Sequence, residues 1–83
     1  MKRKITVTIE FDDDPIYVEE EDKWLETDAL DYAMDVAARI ADEYCGEFQK
    51  AEFDGKLLFT RDGDAPDAVK QMPKYAWVME SLQ

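Results

Sequence analysis

Carboxylates are the side chains through which this sequence could do chemistry. Residues 12–22, DDDPIYVEEED, hold seven acidic side chains and no basic one. Two neighbouring carboxyl groups can act as a general acid and a general base, and several together can bind a divalent cation through oxygen. Other reactive groups are scarce, because the chain has no histidine, one serine (Ser81) and one cysteine (Cys45). Catalysis and metal binding are therefore the first two hypotheses.

Catalysis is not supported by the expected surroundings of these groups. A catalytic carboxyl group normally needs a sheltered position that shifts its pKa, and these acids fall in polar segments that we expect to be hydrated. Cys45 lies at the C-terminal end of a predicted helix, where the helix dipole disfavours a thiolate. A chain of 83 residues also buries only about 60% of its unfolded surface, which leaves little room for a pocket. The sequence predicts a protein that is not an enzyme.

Two acidic clusters, residues 12–14 and residues 62–67, contain the oxygen ligands that calcium prefers. Neither follows the EF-hand loop, which needs glycine at its sixth position and glutamate at its twelfth. Residues 62–67 are more simply a turn followed by acids at the start of a helix. The sequence therefore predicts no metal site and no cofactor.

The net charge of −11 is concentrated in one part of the chain. Residues 1–11 carry a net charge of +2, residues 12–35 carry −10 and residues 36–83 carry −3. A field of this sign repels nucleic acid and anionic lipid and attracts basic protein surfaces. We therefore expect a basic protein partner, with no direct binding of nucleic acid or membrane.

The termini and cysteine content favour a cytoplasmic protein. Residues 1–4 are basic, but the apolar run that a signal peptide requires does not follow. No stretch approaches the roughly 20 apolar residues that cross a bilayer. A single cysteine excludes an internal disulfide and fits a reducing compartment. The length predicts one domain over residues 1–83.

The elements that position the acids begin with a strand. Residues 4–11 alternate strictly between apolar and polar side chains, which predicts a half-buried strand. Pro15 ends it because proline cannot donate to a strand ladder. Residues 16–18 could return as a short second strand. Residues 19–26 are predicted to be an exposed connection whose Trp24 and Leu25 turn inward.

A helix follows from Thr27 or Asp28 to about Cys45, with Gly46 as the residue after its C-terminus. At 100° per residue, one face collects the apolar side chains, and an opposite narrow sector collects acids. The apolar side chains are Leu30, Ala33, Met34, Ala37, Ile40, Ala41 and Tyr44, and the acids are Asp28, Asp31, Asp35 and Asp42. Arg39 interrupts the acidic row and could pair with Asp35.

The second half of the chain predicts a hairpin and a helical tail. Asp54-Gly55 between two apolar runs is a strong hairpin signal, with either a two-residue or a three-residue turn. Pro66 could begin a short helix to Gln71, and residues 73–82 fit a helix or a strand, with helix favoured. The expected fold is α+β: one main helix packed on a small antiparallel sheet, with a short C-terminal helix or strand. The predicted core contains Ile5, Val7, Ile9, Leu30, Ala33, Ala37, Ile40, Tyr44, Phe48, Phe53, Leu57, Phe59 and Trp77.

The acidic block has three interpretations: a solvated surface, a contact surface for a basic partner, or adaptation to high salt. The uneven charge distribution and the seven lysines against three arginines argue against the third. The narrow sector of helix acids favours the second, because carboxylates several ångströms apart resemble a row of phosphates. The predicted partner-binding residues are Asp12, Asp13, Asp14, Tyr17, Glu19, Glu20, Glu21, Asp22, Trp24, Asp28, Asp31, Asp35 and Asp42, with Tyr17 and Trp24 as apolar anchors.

On the acidic residues 12–22, the helix acids and the β–helix–hairpin plan, the chain resembles the small acidic α+β inhibitors made by phages and mobile elements. Some of these mimic nucleic acid and block restriction enzymes or CRISPR complexes. The resemblance implies an inhibitor that occupies the nucleic-acid-binding surface of a nucleic-acid-handling protein. The alternative hypothesis is a structural or accessory subunit that forms homo-oligomers, such as a homodimer, or hetero-oligomers through apolar faces.

Overall fold

A computed structural model describes residues 1–12, 16–25 and 29–83. The elements follow in the order β1 (Ile16–Val18), β2 (Lys23–Leu25), α1 (Ala29–Glu43), β3 (Lys50–Phe53), β4 (Lys56–Thr60), α2 (Asp67–Lys70) and α3 (Pro73–Leu82). The strands form two separate antiparallel pairs, β1 with β2 and β3 with β4. Helix α1 packs on β3 and on α3. The predicted α+β class, with a helix on a two-stranded sheet and a C-terminal helix, is confirmed.

The β3–β4 hairpin closes through the two-residue turn. Phe53 pairs with Lys56, and Asp54 and Gly55 have φ values of 52° and 77°. Two successive left-handed residues are typical of a type I′ turn, whose twist matches that of the strands. The register shifts between Ala51 and Glu52, so β4 contains one extra residue. As a result Leu58 and Phe59, although consecutive, are both buried.

Helix α1 supplies half of the buried core. Its buried residues are Ala33, Met34, Ala37, Ala38 and Ala41, and they meet Leu58, Phe59, Val69, Val78 and Leu82 from the other elements. The predicted face is correct at its centre but extends to Ala38, because α3 covers that side of the helix. Tyr44 is exposed, which makes its predicted place in the core wrong. Helix α1 ends at Glu43, two residues before the predicted end at Cys45, and Gly46 has no positive φ.

The tail is helical in both places where proline predicted a helix. Pro66 caps α2 and Pro73 opens α3, where the missing N–H has no partner to lose. Helix α3 buries Val78 and Leu82 but leaves Trp77 47% exposed, so the prediction of Trp77 as a core residue is wrong. Of the helices in these three described ranges, none has the length and apolar character that crossing a membrane requires.

The predicted N-terminal strand is absent. Residues 1–12 adopt no regular secondary structure, and Ile5, Val7 and Ile9 are 89%, 71% and 54% exposed. Their predicted core positions are therefore wrong, and Leu57 is also exposed. Alternation shows that a segment can line one face of a sheet, but it does not supply the neighbouring strand. Among the described residues, none pairs with this segment as a strand.

Phe11 is the point at which the N-terminal segment joins the rest of the molecule. Its ring lies 4.5 Å from that of Tyr32 on α1 and 5.9 Å from that of Phe53 on β3, measured between centroids. The chain is elongated, with a radius of gyration of 14.9 Å and a longest extent of 55 Å. A compact chain of this length has a radius of gyration of about 12 Å. Residues 1–10 thus lie outside the packed part of the protein.

Candidate acidic contact site

The β1–β2 hairpin brings four predicted site residues together at its tip. Val18 pairs with Lys23, and the intervening loop is Glu19, Glu20, Glu21 and Asp22. Two backbone hydrogen bonds of 3.3 Å close the loop, from the Glu21 N–H to the Val18 carbonyl and from the Asp22 N–H to the Glu19 carbonyl. Asp22 has a φ of 50°, a conformation that aspartate tolerates better than most residues. All four side chains are exposed.

The tip keeps most of its negative charge. Glu21 lies 3.2 Å from the ammonium of Lys23, and both side chains are more than half exposed, so the pair contributes little to stability. Within the part of the chain that is described, Glu19 and Glu20 form no ion pair. The carboxylates of Glu19 and Glu20 at the tip are therefore open to a basic partner.

Helix α1 adds two exposed acids of the predicted site, Asp31 and Asp42, besides the exposed Glu43. They lie eleven residues apart, which is about 16 Å along the axis. Asp31 is in the first turn, where the helix dipole favours an acid, but Asp42 and Glu43 are in the last turn, which has no basic residue. An acid at that end costs about 0.3–1 kcal/mol. Asp42 and Glu43 therefore destabilise the helix slightly.

Asp35 occupies a different environment from its neighbours in the predicted row. Its side chain is 27% exposed and accepts a hydrogen bond from the ammonium of Lys74 on α3, and it lies 3.2 Å from the guanidinium of Arg39. The hydrogen bond from Lys74 holds the pKa of Asp35 below its ordinary value of 3.8, and partial burial opposes this effect. Asp35 thus joins α1 to α3 as an ionised carboxylate whose charge is balanced by Lys74 and Arg39.

An open groove surrounds this ion pair. It has a volume of about 470 Å³ and is lined by Asp35, Ala38, Arg39, Lys74 and Trp77. The i,i+4 spacing predicted the contact between Asp35 and Arg39, but no local signal pointed to Lys74, which is 39 residues away. Of the acids in the predicted row, Asp35 is therefore held in the groove by Lys74, whereas the side chains of Asp31 and Asp42 are exposed.

The remaining predicted site residues are distributed as follows. Asp12 is exposed. Asp13, Asp14 and Asp28 lie outside the described residues, as do the predicted helix caps Thr27 and Asp28. Tyr17 and Trp24 pair with each other through their backbones in β1 and β2, so residues 23–25 form a strand where a connection was predicted. The side chains of Tyr17 and Trp24 are also outside the description.

The reactive groups considered first have simple surroundings. Cys45 is an exposed free thiol, and the Ser81 hydroxyl donates to the Trp77 carbonyl 3.4 Å away, one turn earlier in α3. Asp64 is held in a turn, where its N–H donates to the Thr60 hydroxyl at 3.1 Å. In the three described ranges, no three acidic or cysteine side chains converge closely enough to hold a metal ion.

Comparison of the chain with protein-family models, with curated proteins and with solved structures finds no match.

Proposed function

We propose that this protein is a non-enzymatic binding protein whose acidic surface engages the basic, nucleic-acid-binding surface of a partner protein and inhibits it. The observation that supports this function is the β1–β2 tip, where Glu19, Glu20, Glu21 and Asp22 are consecutive and exposed. A tight turn spreads these side chains over a small convex surface. Such a surface fits a groove built for phosphate.

The physical advantage of this interaction lies in the ions it releases. A groove lined with lysine and arginine gathers anions, and a partner that brings fixed carboxylates displaces them, as nucleic acid does. The acidic tip also associates faster with a basic surface, because the opposite charges attract, and it binds acidic proteins less tightly, because like charges repel. Because each exposed carboxylate contributes little alone, we expect affinity to depend on several of them together.

Affinity capture from the source cell tests this function. The bait is the wild-type protein, and capture is compared at low and high salt and with added duplex DNA. We expect nucleic-acid-binding proteins to be captured, to be released by salt and to be displaced by DNA. A variant with Glu19→Lys, Glu20→Lys and Glu21→Lys should retain less than one tenth of the captured material, because the tip then repels the basic groove.

The matched control reverses three exposed acids elsewhere, Glu47→Lys, Asp62→Lys and Glu80→Lys. Both triple variants change the net charge equally, so a difference between them reports position and not total charge. Equal losses in the two variants would show that net charge alone governs capture. Undiminished capture by the tip variant would exclude the tip as the contact surface.

A further inference from the structure

Residues 4–11 have the alternating side-chain pattern of a strand but no partner strand among the described residues. Ile5, Val7 and Ile9 share one face, Thr6, Thr8 and Glu10 share the other, and the three aliphatic side chains are exposed. Among the described residues, none makes a backbone hydrogen bond to this segment. The apolar side of α1 and the residues Val78 and Leu82 of α3, in contrast, are used in the protein's own core. Among the described residues, the N-terminal segment is therefore a continuous aliphatic surface that is open to another chain.

We propose that this segment pairs with the same segment of a second copy, as an antiparallel two-stranded ribbon whose twofold axis passes through Val7. Directly opposite residues in an antiparallel pair place their side chains on the same face. With Val7 opposite its equivalent, Ile5 lies opposite Ile9, and Thr6 lies opposite Thr8. All aliphatic side chains then fall on one face of the ribbon. A shift by one residue would place Ile5 opposite Thr8 and mix the faces.

The charges favour this register. With Val7 on the axis, Lys4 lies opposite Glu10, and Lys2 lies opposite Asp12. Because of the symmetry each contact occurs twice, and opposite charges across a strand pair are stabilising. A shift by two residues keeps only one opposite-charge pair in place of two: Glu10 opposite Lys2 in one direction, with Lys4 opposite Thr8, and Lys4 opposite Asp12 in the other, with Glu10 opposite Thr6. The Val7-centred ladder also stays within residues 2–12, ahead of Pro15, which could not donate to it.

The pattern of charges, and not the net charge, makes a second copy a suitable partner. Each copy carries a net charge of −11, so most of its surface repels another copy, and residues 1–11 are the exception with a net charge of +2. Two such segments also carry like net charge. The attraction between them comes from the register, in which Glu10 and Asp12 of one copy face Lys4 and Lys2 of the other.

Phe11 brings the ribbon next to an apolar groove. Phe53, on which Phe11 stacks, also lines a groove of about 150 Å³ together with Leu30, Leu57, Leu58 and Val69. An isolated two-stranded ribbon is only marginally stable in water and needs an apolar surface to cover one face. The aliphatic face of the ribbon can therefore pack on this apolar groove, which would shield both surfaces from water.

Light scattering on the whole chain measures the association. We expect the wild type to show a concentration-dependent mass that approaches twice 9.7 kDa. Lys4→Glu places acids opposite each other, and it should raise the dissociation constant of the dimer about tenfold. Glu10→Lys should act similarly, whereas the double variant Lys4→Glu/Glu10→Lys should restore dimerisation. Lys70→Glu, an equal charge change on the exposed side of α2, should leave it unchanged.

Disulfide cross-linking tests the register independently. In a Cys45→Ser background, Val7→Cys places two thiols opposite each other on the axis, and diamide should oxidise them to an intermolecular disulfide. Ile9→Cys lies on the same face, but its two copies are offset by four residues, about 13 Å along the ribbon. That distance is too long for a disulfide. We therefore expect cross-linking of Val7→Cys at least tenfold faster than of Ile9→Cys.

Three results would overturn the proposal. A mass of one chain at all concentrations would exclude the dimer, whether the segment stays exposed or folds back on its own sheet. Equal effects of Lys4→Glu and Lys70→Glu would exclude the ribbon contact. Failure of Glu10→Lys to rescue Lys4→Glu would exclude the Val7-centred register. None of these variants alters the β1–β2 tip, so their outcome is separate from that of the proposed function.

Discussion

Arg61 joins three parts of the chain that are distant in sequence. Its Nε donates to the Phe48 carbonyl at 2.8 Å, one terminal nitrogen donates to the Leu82 carbonyl at 3.3 Å, and the other donates to the Cys45 carbonyl. Leu82 ends α3, and Cys45 follows the end of α1, so the cation lies where carbonyl groups lack partners. The guanidinium makes these three contacts through three different nitrogens held in a rigid plane, whereas an ammonium carries all its donors on one nitrogen.

We predict that Arg61→Lys lowers the free energy of unfolding by about 2 kcal/mol, because one ammonium cannot replace the three directed bonds. Urea denaturation measures the change. The control is Arg39→Lys, since Arg39 is largely exposed and its one ion pair can be kept by lysine. We expect a change within about 0.5 kcal/mol for the control. If both variants changed the free energy of unfolding equally, the three hydrogen bonds of Arg61 would contribute no more to stability than one surface ion pair.

At the scale of elements, helix α1, the β3–β4 hairpin and the start of α3 could be predicted from sequence. Each has local signals: apolar spacing for α1, Asp54-Gly55 for the hairpin and Pro73 for α3. The N-terminal strand could not, because its alternation specifies a face but no partner. The role of Lys74 beside Asp35 could not be predicted either, because it depends on how α1 and α3 pack. At the candidate site, the exposure of residues 19–22 could be predicted from their charge. The contact of Asp35 with Lys74 could not be predicted from the sequence.

The contact between α1 and α3 should depend on pH through Asp35. The pKa of this carboxyl group is lower in the folded protein than its ordinary value of 3.8, chiefly because Lys74 donates to it. Its stabilising effect is therefore complete above pH 3.8 and disappears as the pH falls through the lower folded-state pKa. We predict that Asp35→Asn lowers the urea midpoint at neutral pH and that the difference from wild type shrinks in acid.

Asp42→Asn provides the comparison, because Asp42 is exposed and forms no ion pair in the described part of the chain. It should not lower the midpoint at neutral pH and should raise it slightly, because it removes an acid that opposes the helix dipole at the end of α1. A deficit in Asp35→Asn that is the same at all pH values would indicate that packing of the side chain, and not its charge, matters.

At the scale of the whole molecule, the packed part and the N-terminal segment are energetically separate. Ile5 and Val7 keep most of their surface exposed and Ile9 keeps about half, so these residues contribute less hydrophobic stabilisation than the buried core does. Within the described part of the chain, the core that remains has ten buried hydrophobic residues, among which Phe59 and Met34 are the largest. The stability of a single copy therefore depends on that small core and on Phe11.

We predict that removal of residues 1–10 changes the free energy of unfolding of the single copy by less than about 1 kcal/mol, because these residues bury little surface. Urea denaturation at low protein concentration measures this, and any contribution from dimerisation would appear as a dependence on concentration. Phe11→Ala in the full chain should destabilise by about 1 kcal/mol, since its ring contacts Tyr32 and Phe53. If truncation lowered the free energy of unfolding more than Phe11→Ala does, the N-terminal segment would not be energetically separate from the packed part.

Four of the five buried residues of α1 are alanines, namely Ala33, Ala37, Ala38 and Ala41. Their small volume lets neighbouring elements approach the helix backbone closely, and an added methylene group there would strain the packing by about 1–3 kcal/mol. Asp42, on the opposite side of the helix, meets no such constraint, whereas Asp35 on that side is held by Lys74 and Arg39. The helix therefore has one side on which mutations are poorly tolerated, and an exposed C-terminal end at which they cost little. Selection for a new partner could change the charge at that end of α1 without disturbing the fold.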